Sequence, residues 1–378
     1  MKYFLIAGEA SGDLHASNLI RSLRERDPQG VFVGMGGEKM REAGCRLVQD
    51  YREMAFMGTV AVLKNLGKVR RNFRIAHEAL QQEMPDVVIL IDYPSFNLRI
   101  SKWCKQHLPD AKVVYYIPPK IWAWKSWRVH QIARYTDLVL GIFPFEPAFY
   151  KRYGYSCLYV GNPTMDCIRE AQKTEPQTSF PQPLIAVLPG SRKNEISHCL
   201  PDMIQAAKEV QRTHPQYRIA VTAAPGMEGT FYHSLLPETD NSLLLTRDTY
   251  SVLRQADVAI VNSGTATLET ALFGCPLVAV YHIAASRFFG KHVVDLFKHY
   301  IFHDGYFTLV NILSGKEVIK ELIAEQFTVE NITKEVTRLI DDTDYRNSQI
   351  AGLQQLSAIL GGNCAADTAA ETILKTCV

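Results

Sequence analysis

Along the first half of the chain, short uninterrupted apolar runs alternate with longer segments in which apolar residues recur every three or four positions. The runs occupy residues 3–7, 31–33, 87–91, 113–117 and 138–142. A strand that is apolar at every position must be covered on both faces, which parallel crossovers achieve by laying helices over both sides of a sheet. The pattern predicts a Rossmann-like α/β domain over residues 1–170. The polar, proline-bearing stretch 170–183 has the composition of a linker. Beyond it the same alternation restarts, with runs at 184–188, 218–222, 243–245, 258–261 and 277–281. A second α/β domain is therefore expected over 184–350. The chain reads as helical from Asn331 onward, and the tail at 351–378 is free to cross back to the first domain.

Length agrees with this division, since 378 residues exceed what one core usually organises. A hydrophobic fraction of 47% and a charged fraction of 21% are those of a folded globular protein. With 41 basic against 39 acidic residues the net charge is only +2, which excludes a bulk nucleic-acid binder and requires any basic surface to be local. The eight cysteines form no CxxC pair and have no framework spacing, so reduced thiols in a cytoplasmic setting are expected. Glu9 and Asp13 interrupt the first apolar run too early for a signal peptide, and no apolar stretch approaches the length of a membrane span. Any membrane contact is expected to be peripheral.

Candidate chemistry lies where strands end, because ligands of open α/β sheets gather outside the carboxyl ends of the strands. Gly8, Glu9, Ala10, Ser11, Gly12 and Asp13 follow the first strand and open a helix. They do not spell GxGxxG, so a nicotinamide cofactor is not indicated, and acidic residues there suit sugar hydroxyls better than phosphate. A plain strand-to-helix turn with a Ser or Asp cap accounts for the same residues. Asp92 ends the strand 87–91 among apolar neighbours that raise a carboxyl pKa, which suits a general base, although a turn residue before Pro94 has the same appearance. In the second half Gly190, Ser191 and Arg192 follow a strand and precede a helix, a combination of amides, hydroxyl and guanidinium that suits a diphosphate. Gly264, Thr265 and Ala266 repeat the arrangement, and Glu269 follows Thr265 by one turn, where a carboxylate can accept from a ribose diol.

Other segments bear on surfaces. Leu63, Leu66, Val69, Phe73, Ala76 and Leu80 keep helical spacing, with Lys64, Lys68, Arg70, Arg71 and Arg74 around them, the pattern of a basic amphipathic helix able to meet anionic lipid or simply to be solvated. Residues 287–291 and 297–302 repeat the mixture of aromatics and cations, and Trp122, Trp124 and Trp127 lie among Lys120, Lys125 and Arg128. Such tryptophans either stack on sugars or pack in the core. Two metal-like signals are discounted. Asp342 and Asp344 form a DxD far from either Gly-rich loop, and His299 and His303 lack the Glu of HExxH. No metal and no cofactor are expected.

Taken together the chain resembles the lipid-A-disaccharide synthase family over nearly its full length. The resemblance rests on AGEASGD at 7–13, MGT at 57–59, IDYPSFN at 91–97, IWAW at 121–124, FPFE at 143–146, LPGSR at 188–192, SGTATLE at 263–269 and VNIL at 310–313. It implies a glycosyltransferase B-type fold, two Rossmann-like domains facing each other across a cleft, with the donor nucleotide held mainly by the second. It further implies that Asp92 is the base, that Arg192 and Asn311 support activity, that Glu9, Ser11 and Asp13 lie near the reacting sugars, and that Glu269 meets the ribose. The implied reaction transfers 2,3-diacylglucosamine from UDP-2,3-diacylglucosamine, with inversion, to the 6-hydroxyl of 2,3-diacylglucosamine 1-phosphate (lipid X), on the inner face of the inner membrane. Two departures stand out: Ser95 where some relatives carry a second acid, and Pro118-Pro119-Lys120 where Pro-Ser is expected before the tryptophans. The alternatives are another UDP-sugar enzyme of the same fold, a 2-epimerase or a peptidoglycan glucosaminyltransferase, and a non-catalytic module that binds lipid or nucleotide sugar.

Overall fold

The computed structural model describes residues 1–54, 66–122, 126–224, 227–236, 243–282 and 305–377. It divides into two compact units, one of Met1–Pro163 with Leu360–Val378 and the other of Thr164–Ile359.

In the first unit the described strands are β1 (Lys2–Ala7), β2 (Val31–Gly36), β3 (Arg46–Asp50), β4 (Val87–Ile91), β5 (Lys112–Tyr116), β6 (Leu138–Gly141) and β7 (Leu158–Tyr159). They form one parallel sheet in the order β3-β2-β1-β4-β5-β6-β7. Every residue of β4 is buried, as are Tyr3 to Ala7 of β1, because helices cover these central strands. Helix α1 (Ala10–Arg26) returns over the sheet, with Ala16, Leu19, Ile20 and Leu23 in the core. The helices α2 (Glu38–Glu42), α3 (Leu66–Glu83), α4 (Pro94–His107), α5 (Arg128–Tyr135) and α6 (Glu146–Arg152) follow in chain order.

The second unit repeats the design. Its strands β8 (Leu184–Leu188), β9 (Arg218–Thr222), β10 (Leu243–Thr246), β11 (Val258–Asn262), β12 (Leu277–Tyr281) and β13 (Lys320–Ile323) run parallel in the order β10-β9-β8-β11-β12-β13. The helices are α7 (Pro163–Lys173), α8 (Lys193–Thr213), α9 (Gly229–His233), α10 (Thr249–Gln255), α11 (Thr265–Leu272), α12 (Leu309–Ser314), α13 (Val329–Asp341) and α14 (Thr343–Leu360). Ile196, Leu200 and Met203 of α8 and Ile332, Val336 and Leu339 of α13 pack with Ile185, Val187, Ile260 and Val278 of the sheet.

The chain passes between units at Pro163, earlier than the expected boundary at 170. The polar stretch 170–183 is not a free linker: the Arg254 guanidinium donates to the carbonyls of Ala171 and Thr174, Gln177 N donates to Ser251 Oγ at 2.9 Å, and Phe180 N to Gln255 Oε1 at 3.0 Å. Polar composition here serves docking onto α10. The last helix, α15 (Ala365–Cys377), belongs to the first unit. Ala369, Ala370 and Ile373 enter the core beside α1, and Ser22 Oγ donates to Asp367 at 2.8 Å.

Candidate active site

Both sheets reverse their strand order beside their first strand, β1 against β4 and β8 against β11, and a crevice opens where the order reverses. The loops singled out by sequence emerge at these two places, and each unit has its own pair.

In the first unit Ala7 and Ile91 are register partners, so Gly8 and Asp92 leave adjacent strand ends. A Cβ on Gly8 would stand 2.3 Å from the Tyr93 ring, and glycine alone permits this approach. Asp92 and Tyr93 adopt φ values of 45° and 48°, a left-handed conformation that costs a non-glycine residue about 1–2 kcal/mol. Surrounding side chains hold it there. Asn97 Nδ2 donates to Asp92 O at 2.8 Å and to Ile91 O at 3.2 Å, and Tyr115 OH donates to Asp92 O at 2.8 Å. Burial raises the Asp92 pKa above the usual carboxylate value, opposed by the Lys120 charge and the Tyr93 amide. Burial, with Glu9 adding to it, also raises the Tyr93 phenol.

The signature loop divides its residues between tasks. Glu9 is the N-cap of α1 and makes no side-chain capping bond, and Ser11 is exposed. Asp13 is 3% exposed, and its carboxylate accepts from Gly37 N at 2.7 Å, Met40 N at 3.1 Å and Lys39 N at 3.1 Å. It caps α2, which has no cap of its own, so Asp13 has a structural task in this loop.

In the second unit Leu188 and Val261 are partners. Gly190 has φ +108°, and a Cβ there would lie 2.6 Å from Asn262 Nδ2, which itself donates to Pro189 O at 3.1 Å. Asn262, buried at the end of β11, thus ties the two loops together. Helices α8 and α11 begin after Arg192 and Gly264, and neither has a side-chain cap, so the positive ends of both helices remain available to an anion. Ser191 and Thr265 are exposed and Ala266 is half-buried. Arg192 pairs with Glu195 at 2.7 Å while its side chain stays 63% exposed. Burial raises the Glu269 pKa, and Tyr250 OH lies 3.5 Å from Glu269 Oε1.

Asn311 is fully buried. It donates to Ile319 O at 2.9 Å and Glu321 Oε1 at 2.8 Å, and accepts from Val318 N at 2.8 Å and Ile319 N at 3.1 Å. All four bonds go to protein and fill the hydrogen-bonding capacity of the side-chain amide. Asp342 of the DxD caps α14, accepting from Tyr345 N at 2.9 Å. Trp122 packs edge-on against Phe143 and Phe145 and is 5% exposed, whereas Trp127 is 62% exposed. On α3, Lys68, Arg70, Arg71 and Arg74 are exposed, while Phe73 stacks on Phe96 at 4.4 Å. The MGT segment, Lys64, Trp124 and the aromatic-basic segments 287–291 and 297–302 lie outside the described residues. Among the described residues no group of three or more His, Cys, Asp or Glu is placed to hold a metal, and no helix is long and apolar enough to cross a membrane.

Residues 3–374 match the profile of the family described as lipid-A-disaccharide synthetase. A lipid-A-disaccharide synthase from Trichlorobacter lovleyi is 37% identical, over 96% of this chain and 94% of that one. Another from Geobacter sulfurreducens is 34% identical, again over 96% and 94%. Among solved structures, the fold is similar to a UDP-GlcNAc 2-epimerase from Neisseria meningitidis bound to UDP-GlcNAc, with TM-score 0.66, 11% identity and coverage of 99% and 100%. It is also similar to a calicheamicin glycosyltransferase, with TM-score 0.60, 17% identity and coverage of 99% and 98%.

Proposed function

The chain belongs to the lipid-A-disaccharide synthetase family and is a glycosyltransferase of lipid A synthesis, and on that premise we propose how its residues divide the work. The reaction joins a UDP-activated 2,3-diacylglucosamine to the 6-hydroxyl of 2,3-diacylglucosamine 1-phosphate, inverting the anomeric carbon and releasing UDP. Asp92 takes the proton of the attacking hydroxyl as the acceptor's 6-oxygen bonds to the donor's anomeric carbon and that carbon's bond to the diphosphate oxygen breaks, releasing UDP. The observation that carries this role is the held left-handed backbone at Asp92, strain of the kind that collects where a side chain must be presented to a ligand. Burial adds to it by making the carboxylate a stronger base than an exposed aspartate.

The uncapped starts of α8 and α11, with Ser191, Arg192 and Thr265, receive the diphosphate and stabilise the charge it gains on leaving. Glu269, one turn into α11, accepts from the ribose hydroxyls. Glu9 and Ser11 contact sugar hydroxyls at the other switch point. No step in this scheme calls for a metal. The exposed cations of α3 support peripheral docking on the anionic inner face of the inner membrane, where both acylated substrates reside.

The test follows UDP release and disaccharide formation by mass spectrometry with both diacylated sugars in detergent. Wild type should make the disaccharide, and Asp92→Asn should lose about a hundredfold or more of the rate. Equal rates would remove Asp92 from the mechanism, and no product at any acyl length would remove the proposed substrates.

A further inference from the structure

Tyr93 follows Asp92 directly, and its side chain is held by three separate segments of the first unit. Its hydroxyl donates to Met54 O at 2.9 Å, 39 positions back along the chain. Its ring lies so close to Gly8, after β1, that a Cβ there would stand 2.3 Å away, and it meets Phe96 of α4 with 5.7 Å between ring centres. These supports are themselves fixed. Met54 is 1% exposed, and its amide donates to Tyr51 O at 2.9 Å. Phe96 stacks on Phe73 of α3 at 4.4 Å. Asn72 of α3 accepts from Gln49 of β3 at 2.8 Å and donates to Glu53 O at 3.5 Å, which ties the turn before Met54 to that helix. The backbone of Tyr93 is engaged as well. Its carbonyl accepts from Phe96 N at 3.2 Å and Asn97 N at 3.0 Å, and its amide donates to the Asp92 carboxylate.

A residue with φ 48° relaxes to the extended or right-handed regions unless its surroundings forbid it. For Tyr93 that relaxation would pull the ring from Gly8 and Phe96 and break the bond to Met54 O. The peptide joining Asp92 to Tyr93 is thus gripped at both ends. Asn97 and Tyr115 donate to its oxygen at 2.8 Å each, and the Tyr93 side chain fixes the Cα beyond its nitrogen. We propose that Tyr93 is a positioning residue for the base: its phenol, latched to Met54 O, and its ring, set against Gly8 and Phe96, hold the peptide whose N–H aims the Asp92 carboxylate at the acceptor hydroxyl. The proposal rests on the reading of Asp92 as base. The phenol is not placed to do acid or base work itself, since its proton is committed to a carbonyl and burial raises its pKa.

Aligning a base matters only while the base is present, so a positioning role predicts that the two substitutions are not additive. The experiment measures kcat, KM for both sugars and the melting temperature in wild type, Tyr93→Phe, Asp92→Asn and the double variant. Tyr93→Phe keeps the ring contacts and loses only the latch, so kcat should fall about tenfold with little change in either KM and a melting temperature within about 4 °C of wild type. In the Asp92→Asn background the same change should cost less than about twofold. Tyr93→Gly removes the ring at a backbone conformation that strains glycine little, and should lose about a hundredfold. Wild-type kcat in either Tyr93 variant would overturn the proposal. A raised KM for the acceptor at unchanged kcat would also overturn it and make the phenol a substrate contact. A further loss of about tenfold in the double variant would show Tyr93 acting apart from the base, which equally overturns the proposal. An inactive Asp92→Asn beside an unimpaired Tyr93→Phe rejects only the role of Tyr93, whereas a fully active Asp92→Asn rejects the base itself.

Discussion

Asp13→Ala is predicted to weaken the first unit without touching the reacting groups. The carboxylate accepts three backbone N–H groups at the start of α2, and those of Gly37 and Met40 lie at buried bonds. Alanine leaves both donors without an acceptor and opens no route for water, at about 1–3 kcal/mol each. Some relaxation of the five-residue α2 offsets part of this, so a net loss of about 3 kcal/mol is expected. All four tryptophans, at 103, 122, 124 and 127, belong to the first unit, so intrinsic fluorescence follows its unfolding selectively. With a urea m-value of about 2 kcal/mol/M, the midpoint should fall by about 1.5 M. A shift below about 0.5 M, with activity nonetheless abolished, would refute the capping argument and return Asp13 to the chemistry.

Gly190→Ala must accommodate a Cβ 2.6 Å from Asn262 Nδ2 at a positive φ, so UDP affinity measured by calorimetry should fall about tenfold; unchanged affinity would mean that this loop does not hold the diphosphate. Asn311→Ala breaks four hydrogen bonds, two of them buried, and should destabilise the second unit by about 3 kcal/mol in a thermal melt; wild-type melting with lost activity would point to a direct role. Burial pushes Glu146 up to about 7, so the folded chain holds a proton that the unfolded chain releases from about pH 4.5 upward. Its contribution to stability is therefore full below pH 4.5 and declines as pH rises through 7, by up to about 3 kcal/mol. Glu146→Gln should flatten that decline in fluorescence-monitored urea titrations, and an unaltered slope would count against the buried carboxyl as its source.

Much of the architecture was legible because buried parallel strands are almost wholly apolar: β4, β8 and β12 fall where continuous apolar runs predict them, as does β9, whose polar residues Arg218 and Thr222 stand at its two ends. The strands that escaped notice, β3, β7 and β13, are sheet margins, and sequences such as Arg46-Leu-Val-Gln-Asp50 and Lys320-Glu-Leu-Ile323 present polar residues that solvent accepts there. The site loops were legible because they follow strand ends. What escaped was every bond between distant segments. Nothing near Asp13 in sequence announces the amides of α2, and the tie from Asn262 to Pro189 spans 73 residues. Tyr115 and Asn97, which hold the Asp92 backbone, read as ordinary strand and helix residues.

The return of α15 to the first unit also orders events on the ribosome. Helix α1 must wait for Ala369, Ala370 and Ile373 until the entire second unit has been translated, an interval of roughly 10–40 s at usual elongation rates. During that time Leu19 and Leu23 lack part of their cover, and Ser22 and Arg26 lack the acidic partners Asp367 and Glu371. The nascent first unit is thus a substrate for chaperones that bind exposed aliphatic surface, and a chain released before residue 360 leaves that surface bare.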